Sequence, residues 1–300
     1  MVENRDMWKR DRKEKRTGRA ARGVLVLCAA LLLTACAGGE TAAGQTGQNA
    51  DWLAGRTQQD HRTKHDLRTE PEDTEKTERV DLDACENGKV ILSGSGDIWL
   101  SGSLEGQVVI DAEEDELVHL YLAGVEIISP NGPALWIREA SKVVVTLVSD
   151  TENVLADSPD YTDYEETPAC LYSICDLTVN GGGALQVFGY HEDGIRSRDR
   201  LKLLDGTVSV QAKGDGVRGN DGIYIQGAFV EIESEKNGLR TVNQGAEDRG
   251  VIEVNGGTLS VVAGQSGIRA ASDLYLYDVL CSVNAVEEKM RTEGTAYIAD

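Results

Sequence analysis

Asp193-Gly194-Ile195-Arg196, Asp215-Gly216-Val217-Arg218, Asn237-Gly238-Leu239-Arg240 and Ser266-Gly267-Ile268-Arg269 are four copies of one short pattern, and their reading decides the fold. The glycines follow one another at intervals of 22, 22 and 29 residues, the last lengthened by an insertion at Val242–Asp248. Short apolar/polar alternations closed by Gly-rich turns, repeated at this period, are the mark of a β-solenoid. Successive strand residues face opposite sides, so Ile195, Val217, Leu239 and Ile268 point inward and the following arginines outward. A second strand in each repeat offers the inward pairs Leu201/Leu203, Ile223/Ile225, Ile252/Val254 and Leu274/Leu276. The third offers Val208/Val210, Val230/Ile232, Leu259/Val261 and Cys281/Val283. All three columns keep register across the insertion. The pattern predicts an all-β chain, a right-handed parallel β-helix of about 22-residue coils with a stacked aliphatic interior.

Working outward, short strands are expected at Val90–Leu92, Ile98–Leu100, Val108–Ile110, Val118–Leu122, Val125–Ile128, Leu135–Ile137 and Val143–Val148. Thr151–Pro168 breaks the pattern with acidic and Tyr residues and reads as a long loop leaving the coil. Leu171-Tyr172, Leu177–Val179 and Leu185–Val187 then supply one more coil. No segment carries a helical hydrophobic period.

The N-terminus differs in composition. Residues 1–22 hold nine Lys/Arg against four Asp/Glu, and an apolar run, Gly23–Leu33, leads to Leu33-Thr34-Ala35-Cys36. A basic stretch, a short apolar core and small residues make a secretory signal over 1–35, too short for a membrane span. The last four residues resemble a bacterial lipobox, which makes Cys36 the expected lipidation site. The protein is then expected on the extracellular face of the bacterial membrane, held there only by its lipid. Residues 36–80, polar and aperiodic, read as a disordered tether, and 81–300 as the solenoid domain.

The chain has a net charge of −21, and removing 1–35 takes away a further +5 (nine minus four), leaving −26. Such acidity excludes nucleic acid as a partner, since phosphate contacts need a basic footprint. Cys170 and Cys175 lack the second pair or nearby His that zinc needs, and Cys281 falls on an inward column.

Two outward columns carry the chemistry. Asp193 and Asp215 occupy equivalent places on neighbouring coils, as do Asp199 and Asp221, and Asn237 continues the first pair. Stacked carboxylates repel unless a cation sits between them, and calcium takes six to eight oxygens of this kind. The alternative is that these are turn residues bonding nearby backbone N–H groups. Arg196, Arg218, Arg240 and Arg269 form the other column, with Tyr172 one coil earlier. Either they make a solvated network with the aspartates, or they are a ladder that reads carboxylates in the two-point geometry of guanidinium.

Val108–Ala112, Leu122–Ile127, Asp176–Gly181 and the repeats from His191 to Leu274, in this order, resemble the carbohydrate-binding, calcium-bearing parallel β-helix proteins of anaerobic Firmicutes, which look like pectate lyases in fold. The resemblance covers about 85–288. It implies a cell-surface binder of pectin-like or cellulosic polysaccharide with calcium between coils. Aromatic residues are only 5% of the chain, which favours a soluble or acidic glycan over a crystalline face. The chain is expected to act as a monomer and without catalysis. A calcium-dependent lyase with Arg218 or Lys213 as base is the alternative, and an adhesive surface solenoid a further one. No Gly-x-Ser-x-Gly motif is present.

Overall fold

The computed structural model describes residues 60–86, 88–161, 167–245 and 249–299. The signal segment, Cys36 and the tether as far as residue 59 lie outside the described residues. Apart from one 3-10 turn at Leu82–Ala84, the regular structure among the described residues is β, in 24 strands. Strand pairings between coils are parallel, and the chain winds as a β-helix with three sheets.

The first sheet runs from Gly88–Leu92 through Leu135–Glu139, Ala169–Ser173, Asp193–Ser197 and Val217–Gly219 to Leu239–Arg240, Ile268–Ala270 and Met290–Thr292. The second includes Glu78–Asp81, Lys142–Leu147, Asp176–Asn180, Arg200–Leu204, Gly222–Gln226, Val251–Asn255, Leu274–Tyr277 and Ala296–Ala299. The third includes Glu152–Ala156, Ala184–Gly189, Thr207–Ala212, Phe229–Ser234, Thr258–Ala263 and Leu280–Ala285. Two long strands, Gly96–Asp111 and Leu117–Ile128, pass between sheets without a break.

The register is the expected one. Ile195 pairs with Val217, Val217 with Leu239 and Leu239 with Ile268, and each following Arg pairs with the next. Ile195, Val217, Leu239, Ile268, Leu201, Leu203, Ile223 and Ile252 are fully buried. Inside a parallel coil every aliphatic side chain sits on its own counterpart one turn away, which closes the core without any helix. The recurring glycine follows from the same packing. A Cβ at Gly194 would meet Val210 Cγ1 at 2.2 Å, at Gly216 Ile232 Cγ2 at 2.2 Å, and at Gly238 Val261 Cγ1 at 2.2 Å. The third strand of each turn therefore packs where a side chain at the corner that opens the same turn would stand.

Three boundaries differ from expectation. Glu152–Ala156 is a strand of the third sheet, paired with Glu126–Ile128 and Ala184–Phe188, so the excursion begins only after Ala156. The insertion leaves the coil after Asn243, whose N–H still bonds Asn220, and the coil resumes at Gly250, whose N–H bonds Asp221. More consequentially, the chain from Asp60 onward is ordered. Asp66 is buried against Lys142, Thr178 and Lys202, and Glu78–Asp81 pairs with Ile98–Ser101. A boundary at residue 81 would cut off a strand and a packed segment. The sequence concealed this because the partners of residues 60–80 lie far along the chain, where no local pattern reports them.

Candidate functional site

Along the outward face of the first sheet, pairings chain together one residue per coil: Ile91, Val109, Trp136, Tyr172, Arg196, Arg218, Arg240, Arg269 and Arg291. The column is apolar and aromatic at its first end and cationic over its last five positions. The Arg196 guanidinium lies 5.9 Å from the Tyr172 ring centre and joins the two halves. Trp136 was not singled out from the sequence, and Arg291 was missed although it stands 22 residues after Arg269. One more application of the repeat finds it.

The acidic column lies at the corner where this sheet begins. Asp193 Oδ1 accepts the N–H of Asp215 at 2.8 Å, and Asp215 Oδ1 accepts the N–H of Asn237 at 3.1 Å and its Nδ2 at 2.7 Å. One oxygen of each aspartate thus fastens the next coil, the turn role that the sequence left open. The other faces arginine: Asp193 Oδ2 lies 3.6 Å from Arg196, and Asp215 Oδ2 lies 3.1 Å from Arg240 and 3.9 Å from Arg218. Both Asp215 oxygens and Asp193 Oδ1 are thus engaged, while Asp193 Oδ2 and Asn237 Oδ1 are buried without a hydrogen-bond partner among the described residues.

Asp199 and Asp221 are a different case. The Asp199 carboxylate has no hydrogen-bond or ion-pair partner among the described residues, whereas Asp221 meets Asn243 Nδ2 and lies 3.4 Å from Arg249. Burial, then the charges of Asp176 and Asp221, push the Asp199 carboxyl upward. A hard cation would relieve that repulsion, and the donor chemistry suits one. No three acidic, His or Cys side chains converge on a metal-holding point among the described residues.

Charge along the arginine column is only partly balanced. Arg196, Arg218 and Arg240 share Asp193 and Asp215, Arg291 lies 3.3 Å from Glu293, and Arg269 has no acidic partner among the described residues. At the coils of Arg240 and Arg269 the acidic position is occupied by Asn237 and Ser266, which carry no charge. Burial, then the neighbouring Arg196, lower the Arg218 guanidinium from its ordinary value. The column is therefore a partly desolvated stack of like charges that an external anion would stabilise. Beside Trp136 a cleft of about 220 Å³ opens among Lys89, Gln107, Ser129 and Gly132.

A family model described as carbohydrate-binding domain-containing protein matches residues 86–297. A relative of the same description from Acetivibrio thermocellus is 27% identical over 229 residues, 74% of this chain and 80% of its own length. A solved structure described as the polysaccharide lyase-like protein from C. thermocellum, a gadolinium derivative, has a TM-score of 0.71 at 25% identity. That match covers 75% of this chain and 96% of the other.

The acidic column makes stability depend on pH. Burial, then repulsion from Asp215, push the Asp193 carboxyl up to about 6 from 3.8. A carboxyl raised in the fold favours folding while protonated, and that contribution is lost as pH rises through about 6. Asn at this position keeps the Oδ1 acceptor and removes the charge, as Asn237 already does. Asp193→Asn is expected to melt above wild type at pH 7.5 and to lose that advantage at pH 4. Thermal melts across this range check it, and a constant difference at all pH values would refute it.

Proposed function

The chain belongs to the family of carbohydrate-binding domain-containing proteins, and from that premise we propose that it binds an acidic polysaccharide without cleaving it. The ligand lies along the arginine column. The observation that carries this reading is the column itself: five arginines, one per coil, incompletely neutralised, on a chain of net charge −21. Neighbouring coils stand about 4.8 Å apart, close to the length of one pyranose in an extended chain. Successive sugars of an extended uronate chain are rotated about its axis, so the polymer would turn a carboxylate toward the column at every second or third guanidinium. Each pair could form the two parallel hydrogen bonds that arginine and carboxylate favour. Tyr172 and Trp136, which continue the column, are buried with Val109 and Ala169 in a small apolar cluster, so they support the end of the ladder and leave contact with the ligand to the arginines.

Arg240 is a mixed probe because it also holds Asp215. Arg269 has no such duty. In gels cast with polygalacturonate, Arg269→Ala is expected to weaken retention about tenfold, near the value of one charge-assisted hydrogen bond. Retention by a neutral cellulose derivative should stay unchanged. Equal retention of variant and wild type by polygalacturonate would remove the column from the reading. A lyase is the second reading, favoured by the lowered Arg218 guanidinium in its role as base. The structural relative is also described as polysaccharide lyase-like. Ultraviolet absorbance from unsaturated product, lost in Arg218→Ala, would assign it.

Calcium enters the proposal at Asp199 and Asp221, where it would join two coils and offset their repulsion. The solved structure of the polysaccharide lyase-like protein is a gadolinium derivative, and gadolinium is another hard ion that seeks oxygen donors, which is consistent with this reading. Calcium should raise the melting temperature, EDTA should reverse the rise, and Asp199→Asn should abolish it. No response to calcium would take the ion out of the proposal and leave the arginine column untouched.

The protein sits, as a monomer, on the outer face of the membrane through lipid on Cys36. Partition into detergent should be lost in Cys36→Ala. Partition unchanged by that substitution would end the anchor reading.

A further inference from the structure

Residues 60–70 cross the outward face of the second sheet as a strap, and what fixes them there is polar. Asp66 is buried; its carboxylate accepts from Lys202 Nζ at 2.9 Å, from Thr178 Oγ1 at 2.6 Å and from Lys142 Nζ. Asn180 Nδ2 donates to the carbonyls of Asp66 and Arg68 at 2.8 and 3.0 Å. Arg68 holds Asp97 by two bonds, at 2.6 and 2.9 Å. The His61 ring lies on Tyr224 with centres 4.2 Å apart. The strap's one aliphatic side chain, Leu67, points away and is 56% exposed. Apolar burial therefore contributes little to its hold. Burial alone would raise the Asp66 carboxyl, yet Lys142, Thr178, the Thr63 N–H and Lys202 keep it well below the usual range.

The fit between strap and sheet is incomplete. His119 and Tyr121 are wholly buried on this face, and both His119 ring nitrogens and the Tyr121 hydroxyl lack hydrogen-bond partners among the described residues. Unanswered buried polar groups cost stability, and three in one place call for a reason. Burial, with Arg68 next, brings His119 down to about 4. Clefts open at both ends of the strap. One of about 280 Å³ lies beside Thr69, Glu70 and Trp99, and one of about 130 Å³ beside His61, Tyr224 and Glu253. The face thus combines three aromatic rings (Trp99, Tyr121, Tyr224), two lysines converging on one carboxylate, and unused hydroxyl and imidazole groups. Rings with a few convergent polar groups are what a sugar polymer requires.

We propose that this face is a second carbohydrate-binding surface, for a polymer bearing carboxylates, and that the strap holds it closed with Asp66 in the place of a uronate carboxylate. The inference rests on the reading of the chain as an acidic-polysaccharide binder. A ligand that binds only the open state draws the strap off by mass action. The incoming carboxylate replaces Asp66 on Lys142 and Lys202, and sugar hydroxyls satisfy His119 and Tyr121.

The test uses the full chain in polygalacturonate gels and in uncharged hydroxyethylcellulose gels. Asp66→Ala and Arg68→Ala are each made alone and with Arg269→Ala. Trypsin cleavage after Arg62 and Lys64 reports release of the strap. Both strap variants should be cut faster than wild type and retained about tenfold more strongly by polygalacturonate, the worth of about one newly available charged hydrogen bond. The gain should persist with Arg269→Ala and vanish when Lys202→Ala is added. Arg68→Ala leaves Asp66 on its lysines, and it decides the matter if Asp66→Ala does not fold. A strap that stays uncut, a freed strap without gain, or a gain that survives Lys202→Ala would each overturn the second surface. If Arg269→Ala loses retention and the strap variants gain nothing, only this inference fails; if no form is retained, the acidic-polysaccharide reading fails with it.

Discussion

Every part of this molecule depends on one constraint, the parallel in-register stacking of successive coils. The backbone ladder sets each residue on its counterpart one turn away, about 4.8 Å distant. For the interior this is favourable without qualification, because Ile195, Val217, Leu239 and Ile268 pack on one another and shed water together. For ionisable residues the same rule brings like charges together. An aspartate repeated at 22 residues faces an aspartate, and an arginine faces an arginine. The outer surface is consequently a record of how that repulsion is met, or left unmet.

The acidic corner meets it in part, since Asp193 is still pushed up to about 6 by burial and by Asp215. Each Asp gives one oxygen to the N–H of the next coil and the other to an arginine, and by the third coil Asn237 has taken over the structural role without charge. The arginine column does not meet it. Its carboxylate partners decline from two shared aspartates to none at Arg269, so the excess positive charge is greatest there, before Arg291 meets Glu293. Neutralising residues are plentiful in a chain with 51 Asp and Glu. Leaving this strip short of them makes it a local basic track on an acidic body. Such a track attracts a polyanion at contact range, while salt screens the repulsion of the distant acidic surface.

What the sequence disclosed follows from the same constraint. A repeat writes its register into spacing, so the three aliphatic columns, the corner glycines and the arginine ladder could be read from residue numbers alone. Spacing could not say which way an oxygen of Asp193 turns. Whether a stacked aspartate binds an ion or the neighbouring N–H is settled by side-chain rotation, which leaves no trace in the period. Nor could it reveal the strap. Asp66 finds Lys202 across 136 residues, through a segment with no apolar pattern, and Leu67 faces solvent where an amphipathic rule would have turned it inward. By strand alternation Lys202, between the inward Leu201 and Leu203, is an ordinary outward residue, and nothing in its own repeat supplies its partner.

The two outward faces are accordingly built on opposite terms. On the first sheet the cations stand in series, each with a share of a carboxylate or none. On the second, Lys142 and Lys202 are brought to a single carboxylate that the chain supplies from before the coil. A buried lysine left alone loses hydration and must either find an anion or give up its proton. Some carboxylate therefore has to occupy that place whenever the face is covered. The fold fixes the requirement for an anion, while the covering segment, held by polar contacts and indifferent to its own leucine, fixes its source far less firmly. This difference in firmness, rather than a difference in chemistry, is what separates the two cationic faces of the coil.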